Sequence, residues 1–164
     1  MSNFRADCSR CCGLCCVVPV QLSVQGFPAD KPANTACRYL NDCNRCSIHE
    51  RRWEYGYAAC AGFDCFGAGQ WITQQLFANA RWTDSCEIRD AMFAAYRLWL
   101  PRFEAAALLE AALPHVRHDE ARNLLSARID ALTDADAADA LKLVDGSRLR
   151  RETLALIRSL LAAP

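Results

Sequence analysis

The chain has 164 residues, 52% of them hydrophobic, and its 19 Lys and Arg balance its 19 Asp and Glu to leave no formal net charge. That composition excludes a disordered chain and leaves length for one domain with a real core, or for a small metal-held domain with a helical appendage. With no surplus of cations to neutralise a phosphate backbone, nucleic acid is not expected as a main partner.

The opening Met1 to Cys8 lacks an apolar h-region, and no stretch approaches the roughly 18 apolar residues that cross a bilayer. The reading is therefore a cytoplasmic protein with no membrane partner. All 11 cysteines fall within the first 86 residues: Cys8, Cys11, Cys12, Cys15, Cys16, Cys37, Cys43, Cys46, Cys60, Cys65 and Cys86. An odd count, two vicinal pairs and a reducing cytosol all disfavour a disulfide framework. The spacings favour a metal centre instead. Cys8-x2-Cys11, Cys12-x2-Cys15, Cys43-x2-Cys46 and Cys60-x4-Cys65 let neighbouring thiolates converge on a soft metal from tight turns.

In chain order, Cys8 to Cys16 forms the first cluster, with Gly13 supplying the positive φ that a tight ligand loop needs. The run Val17 to Val24 alternates apolar and polar residues from Val20 onward and reads as a short strand with an edge-type Pro19. Gln25 to Ala36 reads as a surface loop returning to Cys37. Asn41, Asp42 and Asn44 mark a turn that delivers Cys46. One to two helical turns are expected in Glu50 to Ala59, then a glycine-rich bend between Cys60 and Gly69, then a helix near Gln70 to Asn79.

The pattern Cys8-x3-Cys12-Gly13-x-Cys15-Cys16, then Cys37-x-Tyr39-Leu40, then Arg45-Cys46-Ser47-Ile48, then Cys60 and Phe63-x-Cys65 resembles the YkgJ-type cysteine-cluster family. Those proteins are described as zinc- or iron-chelating domains. The resemblance covers roughly the first half of the chain and is more specific than any single Cys-x2-Cys. It implies Cys8, Cys12, Cys15, Cys16, Cys37, Cys46, Cys60 and Cys65 as metal ligands, with Cys11, Cys43 and Cys86 as extras. His49 stands where that family commonly has Tyr, which suggests a supporting or packing role rather than ligation. Arg52-Trp53 replaces an Arg-Pro pair. A similar cysteine arrangement in the flagellin lysine methylase family is associated with an iron-sulfur cluster, and this tilts the cofactor from zinc slightly toward iron-sulfur. Zinc would need two closed all-thiolate sites for eight cysteines, and an iron-sulfur cluster takes four thiolates. Adjacent side chains such as Cys15 and Cys16 rarely aim at one small ion, so two metals or one multinuclear cluster are expected.

From Glu87 onward the pattern turns helical. Ile88, Met92, Tyr96 and Trp99 share one helix face, with a kink or break expected near Leu100 before Pro101 and an end near Leu113. Three further helices are expected at about Asp119 to Ala131, Thr133 to Val144 and Ser147 to Ala162. Thr133 with Asp136 resembles a capping arrangement, and Asp145-Gly146-Ser147 a stop-turn-start signal. Leu125, Ile129 and Leu132 form one apolar stripe, and Leu149, Leu154, Ile157 and Leu161 another. They are expected to pack within the chain, the alternative being a protein partner bound through the helical region. His115 and His118 beside Pro114 read as a solvated loop.

The expected architecture is mainly α, with a loop-rich cysteine-cluster metal-binding region over 1–86 followed by a bundle of about four to five short helices over 87–164. No nucleophile elbow, P-loop, zinc-protease helix or dinucleotide fingerprint is present. The function expected is metal binding, by iron-sulfur or zinc, without catalysis of its own. The alternative is a redox-active iron-sulfur component of an enzyme or of an electron-transfer or modification system.

Overall fold

Residues 4–136 and 145–162 are described by the computed structural model of the chain. The protein is mainly helical, as expected. Its residues divide into two compact units, Arg5–Arg97 and Met1–Phe4 with Leu98–Pro164. The division passes through the long helix of the chain, ten residues or so beyond the last cysteine.

In Arg5–Arg97 the helices are single turns: α1 Leu14–Val17, α2 Ala58–Ala61 and α3 Ala68–Trp71, the last running on into a π-type turn at Ile72–Leu76. Short 3-10 turns at Cys8–Arg10, Ser23–Gln25 and His49–Arg51 link them. Gly13 opens α1 at φ +76°, a backbone state that costs other residues a Cβ clash. The turn then buries Leu14 and Val17 completely while leaving Cys15 and Cys16 on its flanks.

The strand expected over Val17 to Val24 does not form. Val17 and Val18 finish α1, and Ser23–Gln25 is a 3-10 turn whose Ser23 N–H is taken by Asp30 Oδ1 at 2.7 Å. What remains is an isolated antiparallel bridge, Gln21 with Lys31, closed by two backbone bonds of 2.9 and 2.8 Å. The apolar alternation had no face to bury: Val20 and Val24 are both exposed. The turn at Asn41 to Asn44 is present, with Asn41 Oδ1 accepting from the Cys43 and Arg45 amides and Leu40 bridging to Cys46. Two of the expected turns of helix around Glu50 to Ala59 appear as His49–Arg51 and the start of α2, and the helix expected from Gln70 begins two residues earlier.

The long helix is α4, Cys86–Ala112. Met92 and Tyr96 lie buried on the predicted face within the Arg5–Arg97 unit. The break expected at Pro101 is absent. Proline has no N–H to give the Arg97 carbonyl, so one backbone bond is lost, but the helix continues to Ala112 and ends in a 3-10 turn at Leu113–His115.

In the second unit the core is Ala105, Ala106, Leu109 and Ala112 of α4, Val116 of the connection that follows, Leu125 and Leu132 of α5 (Asp119–Thr133) and Leu149 of α6 (Gly146–Ala162). Four of those eight side chains are no larger than valine, three of them alanines on α4, which lets helices approach closely. Ile129, Leu156, Ile157 and Leu160 pack on this core, while Leu161 is exposed, so the α6 stripe is rotated by one residue at its end. Thr133 closes α5 rather than opening a helix: its hydroxyl donates back to the Ile129 carbonyl at 3.0 Å, and Asp134 caps the Asp136 amide instead. The remainder of the helix expected over Thr133 to Val144, from residue 137 on, lies outside the described residues. Asp145 starts α6 as expected, its Oδ1 accepting from Ser147 N at 2.9 Å.

Candidate metal centre

The first cysteine loop is held by side chains that read its backbone. Gln70, Thr73 and Gln74, on one face of α3 and its π extension, meet residues 5–12. Gln70 accepts from the Asp7 amide and donates to the Arg5 carbonyl at 3.2 Å, Thr73 Oγ1 accepts from Cys12 N at 3.3 Å, and Gln74 donates to the Arg10 carbonyl at 3.2 Å. From the other side the Arg45 guanidinium donates to the carbonyls of Cys8, Ser9 and Cys11. The Trp82 indole N–H closes on the Cys12 carbonyl at 3.0 Å.

Cys12 is turned into this frame. It is almost fully buried, with Sγ 3.4 Å from Thr73 Oγ1 and 3.8 Å from Met92 Sδ. Cys11 takes a different direction: its sulfur occupies the notch left by the missing side chain of Gly69, 2.8 Å from where a Cβ would stand, and the Cys65 sulfur lies 3.8 Å from the same point.

Around α1 other sulfurs gather. Cys16, Cys46 and Cys60 pack against the small core of Cys37, Ile48 and Tyr57, and the Cys37 amide donates to the Cys16 carbonyl at 2.9 Å. Cys16 shares its thiol proton with Cys15 and Cys46, one at a time, so its own pKa rises. Cys46 accepts that proton's hydrogen bond and, helped by its own loop amide at Ile48 and by His49 and Arg52, falls to about 6 despite its burial. Cys15 is lowered for the same first reason, the hydrogen bond from Cys16.

For the remaining raised thiols burial is the first cause. Cys8 is pushed up to about 11, with Cys15 and Cys65 adding to the rise, and Cys11 to about 12, with Cys15 adding. Cys60 reaches about 11 by burial, then through Cys15, Cys37 and Cys46. Cys65 is raised too, although the Gly69 and Gly67 amides at the α3 N-terminus pull it down.

Seven of the eight expected ligands, Cys8, Cys15, Cys16, Cys37, Cys46, Cys60 and Cys65, thus lie in one electrostatic neighbourhood, with Cys12 set aside from it and Cys11 inside it. Cys43 and Cys86 are exposed. The eleven cysteines are free thiols, and among the described residues no three Cys, His, Asp or Glu side chains stand close enough to hold an ion as they are. His49 pairs with Glu50 at 2.8 Å, its backbone amide donates to the Cys46 carbonyl at 3.4 Å, and its charge lowers the Cys46 thiol.

Three polar groups here were given no role at the cysteines by the sequence reading, although it names Arg52 beside Trp53 and Tyr96 on a helix face. Arg52 donates to the His49 and Cys60 carbonyls at 2.7 and 2.9 Å and lowers the thiols of Cys8, Cys15, Cys46 and Cys60. The Lys31 ammonium, buried, is enclosed by the carbonyls of Val17, Pro19, Pro32 and Thr35 at 2.8 to 3.2 Å and is the cation that Cys16, Cys37 and Cys60 bear upon. Tyr96, 2% exposed, brings a phenol hydroxyl without a hydrogen-bond partner into the neighbourhood of Cys15, Cys65, Cys11 and Cys16. Arg52 and Lys31 are cations in a cysteine-rich stretch, which is the signal available in the sequence; Tyr96 shows no such signal.

A cleft of about 920 Å³ opens beside this group, lined among others by Arg5, Asp7, Cys8, His49, Arg52 and Phe63.

Thiols from five chain segments, folded around single helical turns and gathered in one unit, define a cysteine-cluster protein. The chain belongs to the UPF0153 family. It is 30% identical over 77 residues to a UPF0153 protein of Pseudomonas aeruginosa, which covers 92% of that protein and 46% of this chain. It is 42% identical over 43 residues to the UPF0153 protein YeiW of Escherichia coli, covering 26% of this chain and 51% of YeiW. It is also 36% identical over 111 residues to the uncharacterized protein YybG of Bacillus subtilis, covering 68% of this chain and 40% of YybG. The chain thus spans about half or less of the length of YeiW and YybG. No family model matches it. No solved structure matches it either.

Proposed function

We propose that the protein binds a soft metal through its clustered thiolates, as an iron-sulfur cluster or as zinc, with iron-sulfur slightly favoured by the similar cysteine arrangement of the flagellin lysine methylase family. The observation that carries this reading is the gathering of sulfurs from residues 8–16, 37, 46, 60 and 65 into a single unit built of single-turn elements. The donor set fits. Thiolate is the ligand of zinc and iron-sulfur sites, and Arg45, Gln70, Thr73 and Gln74 hold the ligand loop by its backbone. The thiols of Cys8, Cys15, Cys16, Cys37, Cys46, Cys60 and Cys65 would hold the metal as thiolates and would give up their protons to do so. A bound zinc supplies a structural crosslink, and a bound iron-sulfur cluster a one-electron carrier.

The cleft beside Cys8 favours a second reading, a redox-active component that a small partner molecule approaches. Its volume lies in the range of ligand sites, roughly 300–1,000 Å³. Anaerobic purification, metal analysis and a visible spectrum separate the readings. A brown protein that bleaches on reduction supports the redox component, and a colourless zinc protein supports the structural centre. A chain folded and free of both metals overturns metal binding.

A further inference from the structure

We propose that Lys31 is the fixed counter-charge of the thiolate centre and the clamp that holds Cys16 against Cys37, a positioning residue that acts through a buried ammonium. This rests on the metal-binding reading and adds to it how the negative charge of the bound thiolates is met.

The chain leaving Cys16 and the chain approaching Cys37 run antiparallel. The Cys37 amide donates to the Cys16 carbonyl at 2.9 Å, the Asn34 amide to the Val18 carbonyl at 3.2 Å, and Gln21 and Lys31 exchange backbone bonds of 2.9 and 2.8 Å. The Lys31 side chain joins the two sides of this ribbon. Its ammonium donates to the carbonyls of Val17 and Pro19 on one side, at 3.2 and 2.8 Å, and to those of Pro32 and Thr35 on the other, at 3.1 and 2.8 Å. Val17 directly follows Cys16 and Thr35 stands just ahead of Cys37, so the ammonium sets the spacing of the two sulfur-bearing residues.

Four carbonyls satisfy the ammonium's N–H groups but bring no charge. Lys31 is 9% exposed, and among the described residues no Asp or Glu pairs with it. A buried cation without an anion is unfavourable, and buried charges are as a rule paired. Burial lowers the pKa of Lys31, and the groups that work against it are Cys37, Cys16 and Cys60. Those three also pack together around Ile48 and Tyr57. As thiols they leave the ammonium unmatched. As thiolates on a metal they match it, and four thiolates on one zinc carry two net negative charges for a cation to offset.

The test uses the full chain, reduced and anaerobic, loaded with zinc or cobalt(II) alone. Lys31→Met keeps most of the side chain without its charge, and Lys31→Arg keeps the charge. In chelator competition at neutral pH, Lys31→Met is expected to hold zinc roughly 10–100-fold more weakly than wild type, the scale of lost outer-shell partners, with Lys31→Arg closer to wild type. A merely structural clamp would weaken binding too, so the deciding readout is the sulfur-to-cobalt charge-transfer band of the loaded chains. Removing a positive charge beside the sulfurs raises their lone pairs. The band is therefore expected to move to longer wavelength in Lys31→Met and to stay in place in Lys31→Arg. A measurement on wild type alone serves where the variants fail to fold: the chain has two lysines, Lys31 and Lys142, and with nitrogen-15 in their side chains an ammonium resonance is expected to shift when zinc is added. A band unmoved in Lys31→Met, a band moved equally in both variants, or ammonium resonances unmoved by bound zinc overturns the counter-charge while leaving metal binding intact. A wild-type chain that takes up neither zinc nor cobalt overturns the metal-binding reading itself.

Discussion

Gly13→Ala tests how tightly the first cysteine turn is fixed. Gly13 sits at φ +76°, where a residue with a Cβ costs roughly 1–2 kcal/mol. The new Cβ would also stand 2.8 Å from the Asn44 carbonyl oxygen and 2.8 Å from Leu40 Cδ1. Leu40 can swing away, but Asn44 is buried backbone in a left-handed turn, at φ 57°, two residues before Cys46. Overpacking of that kind adds about 1–3 kcal/mol, so the whole change costs about 2–5 kcal/mol. Gly26→Ala is the internal control. It shares the left-handed backbone, at φ +91°, but its Cβ would meet nothing nearer than 3.7 Å, so only the roughly 1–2 kcal/mol backbone cost applies. Thermal melts of both variants at equal metal loading, followed by circular dichroism, read the difference. At about 2–4 °C per kcal/mol for a chain of this length, Gly13→Ala melts at least about 4 °C below wild type, and below Gly26→Ala. Equal melting of the two variants would refute the close approach of the Cys12–Cys15 turn to the Asn44 loop.

Three further outcomes follow from the same frame. Lys31→Met removes an ammonium enclosed by four carbonyls and leaves those acceptors buried; allowing for the lysine's own desolvation and entropy, the loss is about 3–5 kcal/mol, and a urea midpoint unchanged from wild type would show that the cage does not hold the fold. Tyr96→Phe deletes only the unpartnered hydroxyl, so zinc retention in a chelator competition should fall about tenfold, the scale of lost outer-shell partners, and retention equal to wild type would mean the phenol serves no sulfur. Stripping the metal at neutral pH should change the near-ultraviolet signal of the tryptophans, because Trp82 donates to the Cys12 carbonyl inside the ligand loop; an unchanged signal with the metal shown to be gone would sever folding from metal.

Much of the helical half was legible because its periodicity is a local property. Met92 and Tyr96 lie on the face their spacing predicts, and Asp145 starts α6 as its side chain allows. Two local rules lost to their context. Pro101 costs one backbone bond and the remaining turns of a 27-residue helix outweigh it, while the valine alternation before Gln25 found no sheet to join. In the cysteine half the ligand-spaced residues could be read but not their directions. Cys11 and Cys12 are neighbours in sequence, and only the absence of a side chain at Gly69 and the presence of Thr73 and Met92 part them. Lys31, Arg45 and Tyr96 act across 12 to more than 80 residues of chain, a range over which composition and periodicity carry no signal.

The central claim, that the gathered thiolates hold a metal, is tested most directly by X-ray absorption at the metal edge of the full chain purified without oxygen. The account predicts a metal whose shell is sulfur alone, at about 2.3 Å if the metal is zinc. A shell dominated by nitrogen or oxygen would contradict it.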